Sequence, residues 1–475
     1  GVTGTKNTRT QNTLPGNVIN SSSDQEFDNY AFRQKIDGVY EIKLDTTSSL
    51  KVSVEGTLKH NETQSNYQAR SERGNGVLLN TSDRDLNNDI DETIFKATAF
   101  WNKRMKKKGR SISLNISEAI NRSDAKGFLR SDNNFFDSEG LPDSTSLIDQ
   151  YKLSKTRSSV FSSNLTYSEP FSPYFSVIMN YGLGINRTDQ DRRSYNPTAT
   201  GAYTQLDTLY SNNYQFNQLS NQLGAIFNYK NNKTIINFGS KVTAVNFDQV
   251  DIFTSSAVKR DFININPQAN YQYKFSQQKS MSLSYNGNTT QPRIDEIQPV
   301  TVNNDPFNVF VGNPELKPSF SNRFGATYNS YKVLSSRSIW ISGSYNFTVD
   351  PIVSNTTTDS LGRNSYESIN LSDKKTSNFY GNAYYGKKIT ALEMNIGFQA
   401  SFSGNTYYNF VNEELNKTKS YNVSGGINLQ KNKEKKYSIY VSRNPNYTSS
   451  NSSLPSPDNS GWGYTAYGTF NVFLP

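Results

Sequence analysis

Apolar residues recur at every second position over most of this chain, and that spacing constrains its fold more than any other feature. Across residues 175–185 the apolar side chains are Phe175, Val177, Met179, Tyr181, Leu183 and Ile185. Ser176, Asn180, Gly182 and Gly184 lie between them, with Ile178 the one exception. Ile339, Ile341, Tyr345, Phe347 and Val349 repeat the pattern, as do Leu392, Met394, Ile396 and Phe398, and again Tyr421, Val423, Ile427 and Leu429. Side chains alternate between the two faces of a strand, so each segment reads as a strand with one apolar and one polar face. No comparably long 3.6-residue periodicity competes with it.

The strands are joined by two kinds of connection that alternate strictly. One kind is short and polar, at residues 45–49, 106–110, 169–173, 230–233, 276–280, 334–337, 386–390 and 432–436. The other is long and rich in Asn, Asp, Ser, Thr and Tyr, at about 64–90, 131–147, 187–212, 287–318, 353–366, 403–416 and 446–460. Short turns on one side and long loops on the other are the asymmetry of a transmembrane β-barrel, which places its short turns in the periplasm. The spacing predicts an all-β, antiparallel transmembrane β-barrel with about 17 strands, many longer than the ~9–11 residues that cross a bilayer. Because bacterial barrels close on even strand numbers, that count predicts that strands are missing at one or both ends. Residues 1–24 read as an extracellular loop or truncated segment and 25–475 as the barrel domain.

Composition agrees. Hydrophobic residues make up only 34% of the 475, with a mean hydropathy of -0.72, yet 13% are aromatic, including 30 Tyr and 28 Phe. Disordered chains are poor in aromatics, whereas a barrel with a polar lumen and aromatic girdles combines both traits. There is no cysteine and His60 is the single histidine, which excludes disulfides, thiolate metal sites and a cysteine nucleophile. No run of 18 apolar residues offers a transmembrane helix. No acid–base pair, nucleophile elbow or phosphate-binding loop stands out, so an enzyme is not expected and no cofactor is implied. The net charge is +9, and the densest basic run, Lys103, Arg104, Lys106, Lys107, Lys108 and Arg110, surrounds a short turn. No nucleic-acid-binding motif accompanies that run, and it reads as a solvated turn near lipid headgroups.

One segment interrupts the alternation. Pro292 and Pro299 flank Arg293-Ile294-Asp295-Glu296-Ile297-Gln298, Asp305-Pro306-Phe307-Asn308 follows, and Gly312-Asn313-Pro314-Glu315-Leu316-Lys317-Pro318-Ser319 leads into a new strand near Phe320. Proline cannot donate to a β-ladder, so this is a stiffened loop at a strand entrance. Its sequence resembles a hallmark of TonB-dependent outer-membrane receptors, closest to the outer-membrane β-barrel branch common in Bacteroidota. The turn Lys106-Lys107-Lys108-Gly109-Arg110 and the segment Thr166-Tyr167-Ser168-Glu169-Pro170-Phe171 resemble the same branch. The resemblance implies a barrel of about 22 strands around a plug domain, with energy delivered by TonB through that plug. No plug or TonB box is visible in these residues. It further implies location in the outer membrane of a Gram-negative bacterium, in contact with lipid and in some cases with a surface lipoprotein. The activity implied is uptake of a scarce or large substrate: a ferric chelate, cofactor, oligosaccharide or peptide. The alternative is a non-transporting barrel that scaffolds a surface lipoprotein or secretion assembly.

Three groups of residues are candidate sites. The loop residues Pro292, Gly312, Asn313, Pro314, Leu316 and Pro318 either contact substrate or fix the loop's architecture. Tyr195, Tyr203, Tyr210 and Tyr214, with Tyr407 and Tyr408, offer aromatic faces to sugars or flat chelates, or else form a girdle. Asp83, Asp85, Asp89 and Asp91 imitate the first half of an EF-hand. Asn88 then replaces its glycine and Ile94 its bidentate glutamate, leaving a weak Ca²⁺-like site or a solvated acidic loop.

Overall fold

The computed structural model describes residues 1–14, 17–253, 255–297, 307–456 and 459–473. Twenty-one strands lie in one sheet. They are β1 (Val2–Leu14), β2 (Asn17–Lys43), β3 (Ser48–Arg73), β4 (Leu78–Arg104), β5 (Ser111–Phe136), β6 (Pro142–Pro170), β7 (Phe175–Pro197), β8 (Tyr203–Lys230), β9 (Thr234–Asp251), β10 (Ser256–Ser276) and β11 (Lys279–Thr290). After one short helical turn, α1 (Ile294–Ile297), come β12 (Asn308–Val311), β13 (Ser319–Lys332), β14 (Arg337–Val349), β15 (Ile352–Thr358), β16 (Asn364–Asn370), β17 (Thr376–Ile389), β18 (Met394–Val411), β19 (Glu414–Lys433), β20 (Tyr437–Ser452) and β21 (Gly461–Val472).

Setting aside β12, β15 and β16 leaves 18 strands in an antiparallel meander, each paired with its neighbour along the chain. That is one more than the alternation predicts. The extra strand is β1, which pairs with β2 from Val2↔Asn29 to Leu14↔Asn17. Within the segment read as an extracellular loop or truncated segment, Val2–Leu14 is a strand paired with β2. Its sequence, Thr-Gly-Thr-Lys-Asn-Thr-Arg-Thr, is polar on both faces and shows no period.

Seven of the eight short connections fall where the sequence places them, from residues 44–47 between β2 and β3 to residues 434–436 between β19 and β20, and the eighth lies at 390–393, just past the expected 386–390. Most of the long connections do not fall where expected. Residues 64–90, 131–147, 187–212 and 403–416 are mainly strand, carried well above the short-turn end and closed by tight tips. A ladder needs only backbone groups, so strands with water on both faces form without apolar alternation. Among the described residues of the long connections, β11–β13 and β14–β17 hold other structure, namely α1, β12 and the β15–β16 hairpin.

The outer face of the lower wall is a continuous apolar surface. Leu165, Tyr181, Leu223 and Val242 stand in one row across β6–β9, all more than a third exposed. Ile339, Tyr385, Phe398 and Ile427 form a second row across β14, β17, β18 and β19. Side chains of this kind exposed in rows on a barrel wall belong against hydrocarbon, where every backbone polar group must already be paired.

The sheet is rolled. Asn80 Nδ2, near the top of β4, donates to the Leu361 carbonyl at the β15–β16 tip, 2.8 Å away and 281 residues along the chain. Nine pairings separate β4 from β14, which in a flat sheet would be about 43 Å. The seven-residue β15 spans only about 23 Å. The hairpin reaches β4 because the wall curves round to meet it.

Candidate site at the mouth of the barrel

At the upper end, the proline-rich loop and the β15–β16 hairpin form a brace inside the wall. Its first anchor is Ile297, 4% exposed, packed on Phe216 of β8 and Phe247 of β9 with Phe262 of β10 beside them. Glu296 holds the turn by accepting from the Arg293 backbone N–H at 2.8 Å. Pro292 is buried next to it.

The second anchor is the 312–319 segment. The Asn313 backbone N–H donates to the Glu296 carbonyl at 2.7 Å, its Nδ2 to the Ser368 carbonyl at 3.0 Å, and its Oδ1 accepts from the Glu315 N–H at 2.9 Å. Leu316 is 1% exposed, and its carbonyl accepts from Arg260 of β10 at 2.6 Å. Asn370 of β16 accepts from the Lys317 N–H at 2.7 Å and donates back to the Lys317 carbonyl at 3.0 Å. β12 extends the same unit by pairing in parallel with β16. Gly312 is buried, and Pro314 and Pro318 are half-buried, so the whole segment is bonded into the wall. Residues 298–306, including Pro299 and Pro306, lie outside the described residues.

A third anchor ties the hairpin to β18. Val353, Leu371 and Tyr408 form a buried cluster, flanked by Ile369, Phe410 and Leu415. At the hairpin tip, Asp359 Oδ1 accepts from the backbone N–H groups of Leu361 and Arg363, and the Arg363 guanidinium lies 5.8 Å from the Phe135 ring of β5.

Facing this brace, the upper lumen presents a polar shelf. Gln150, 2% exposed, donates to Asn196 Oδ1 at 3.0 Å and Asp207 Oδ2 at 2.8 Å. Lys152 lies one step along β6 on the same face. Burial pushes its ammonium down to about 8, and the Arg192 charge adds to the shift. Tyr214 is 5% exposed, and burial together with the Asp251 carboxylate raises its phenol to about 12. Burial also raises the Tyr210 phenol, near Asp207 and Arg363.

The six candidate tyrosines are thus divided. Tyr210 and Tyr214 belong to the mouth, and Tyr408 to the hairpin anchor. Tyr195 stands opposite Tyr151 in register, on the face away from Ser194 and Asn196. Tyr203 joins Phe128 and Tyr151 there, with its hydroxyl 2.7 Å from Asp149 Oδ1. Tyr407 is 46% exposed. Gln150, Lys152, Arg192, Asn196, Asp207 and Arg260 carry no signal in the sequence, because isolated polar residues in polar strands reveal no facing.

The acidic residues lie on β4, where the sequence suggests a loop. Asp83, Asp85, Asp89 and Asp91 point to one face of an extended strand, and the eight residue steps from first to last span about 26 Å. Four ligands so spread cannot surround one Ca²⁺, so the EF-hand-like arrangement does not form. Only Asp89 and Asp91 converge, with His60 of the neighbouring strand. Carboxylates surround that imidazole and raise its pKa, Glu62 first and Asp91 next.

At the opposite end, the basic turn is tied to its neighbour. Glu169 accepts from Lys107 Nζ at 2.7 Å, from both arms of the Arg110 guanidinium and from the Tyr167 hydroxyl at 2.6 Å. These donors hold its carboxyl down to about 2, the Arg110 bonds contributing most.

In sequence, the outer membrane protein beta-barrel family matches residues 103–469, well over half of the chain. The chain belongs to this family. Its place is accordingly the Gram-negative outer membrane, with the apolar rows against lipid. No curated protein matches the chain in sequence. Solved structures similar to it include a copper transporter, OprC, at 10% identity, covering 98% of this chain and 80% of that one with a TM-score of 0.44. The siderophore receptor PiuA of Acinetobacter baumannii aligns at 9% identity over 99% of this chain and 81% of its own, TM-score 0.36. The Serratia marcescens hemophore receptor HasR, in complex with its hemophore HasA and heme, aligns at 11% identity over 98% and 80%, TM-score 0.41.

Proposed function

We propose that this chain forms the barrel wall of a TonB-dependent receptor of the branch common in Bacteroidota. In this reading it takes up a substrate too scarce or too large for diffusion. The observation that carries the reading is the braced mouth. Ile297, Leu316 and the β15–β16 tip fix the brace against the wall, and Gln150, Asn196, Asp207, Lys152, Arg192, Tyr210 and Tyr214 face the lumen beside it. Amides, tyrosines and buried cations on a rigid wall offer orientation and charge complementarity to a polar ligand. A ferric chelate, cofactor, oligosaccharide or peptide fits that chemistry. Energy would come from TonB acting through a plug domain, and a surface lipoprotein would be a natural partner over the mouth.

The test is growth restoration by the full-length protein in a receptor-deficient host on limiting iron, cofactor or glycan, with and without TonB. TonB-dependent rescue on one nutrient is expected. Absence of TonB-dependent uptake of every ligand would remove the transport reading.

A further inference from the structure

We infer that His60, Asp89 and Asp91 form a binding site for a divalent transition-metal ion of the Zn²⁺ type, on the outer face of the upper wall. The site stands just above Leu58, which ends the apolar outward row of β3, and beside the exposed Tyr30 and Phe32. It is remote from the mouth and independent of the transport reading.

The geometry assigns different tasks to the two imidazole nitrogens. Both aspartates approach Nδ1: Asp91 Oδ1 is 2.9 Å away and Asp89 Oδ1 3.6 Å. Ligand atoms around a tetrahedral Zn²⁺ lie about 3.4 Å apart when each bond is about 2.1 Å, and the three ligand atoms here lie within 4.8 Å of one another, so side-chain adjustments of about an ångström seat an ion. Glu62 Oε1 lies 3.0 Å from Nε2, the position of the carboxylate that orients a metal-bound histidine and fixes its tautomer. Asp89 is similarly divided. Lys126 Nζ sits 3.1 Å from its Oδ2, while its Oδ1 is shielded from solvent with no hydrogen-bond partner. That orphan oxygen faces Nδ1.

The fold fixes these positions. His60 and Asp91 are direct partners between β3 and β4, and Glu62 and Asp89 are the next pair on that face. Asp124 and Lys126 follow on β5, opposite Asp91 and Asp89. One imidazole nitrogen with two carboxylate oxygens suits Zn²⁺ and its late first-row neighbours better than Ca²⁺, which takes six to eight oxygens.

The experiment is isothermal titration of the detergent-purified, EDTA-washed chain with ZnCl₂, comparing the parent with H60Q, D91N and the control D83N. Heat-shifted electrophoretic mobility confirms that each variant is folded. The expected result is one ion per chain with submillimolar affinity, at least about ten-fold weaker in both H60Q and D91N and unchanged in D83N. Equal binding by H60Q or D91N, equal loss in D83N, or no stoichiometric binding by the parent overturns the site.

Discussion

Glu169 accepts both arms of the Arg110 guanidinium, at 2.7 and 2.8 Å, and so joins the β4–β5 turn to the end of β6. Gly109 beside it sits at φ +87°, a conformation that permits the sharp turn presenting Arg110. The two segments that resemble one receptor branch in sequence are therefore in contact.

That contact makes stability pH-dependent. Glu169 is held at about 2 against an unperturbed 4.5. A depressed carboxylate contributes stability that is fully present above its unfolded value and lost as pH falls through the folded one. Thermal melts in detergent should therefore show a loss between about pH 4.5 and 2 that E169Q lacks. Parallel acid profiles for the two proteins would contradict the assignment.

Leu316 should anchor the proline-rich loop. Truncating a fully buried leucine costs about 2–5 kcal/mol, and here the cost falls on docking of the loop rather than on the wall ladder. L316A should gain protease cleavage within 291–319 while the wall fragments stay intact. An unchanged digest would show that the loop is held by its hydrogen bonds alone.

Gly362 sits at φ +78°, and a Cβ there would come within 2.7 Å of Leu79 Cδ2 and Asn80 Nδ2. G362V should detach the hairpin tip from β4. Spin labels at Asn75 and Ser360 should report a longer, broader distance distribution in the variant. A distribution matching the parent would place the tip contact elsewhere.

The outward register can be read directly. Met179 is 45% exposed in the apolar row, whereas Asn180 points to the other face. A nitroxide at Met179 should relax with oxygen, and one at Asn180 with an aqueous nickel chelate. Reversed accessibility would mean a one-residue slip.

The lower wall was legible because lipid demands apolar side chains at alternate positions. Val177, Met179 and Tyr181 declare their face in three residues, and the eight short turns declare the strand ends. The upper wall lacked that demand. Residues 64–90 read as a loop only because water on both faces erases the period, and β1 shows no signal for the same reason. The tyrosines show the limit within one strand: nothing local separates Tyr214, buried in the lumen, from Tyr203 on the outer surface.

The sequence by itself determined an antiparallel barrel wall, its short-turn end and its lipid face, because period two and turn chemistry are local properties of the chain. Tertiary structure alone decided what the polar residues do. Leu361 meets Asn80 across 281 residues, Leu316 meets Arg260, and His60 meets Asp91 through strand register. Such contacts depend on how the sheet rolls and which strands align, and no local pattern of side chains encodes either.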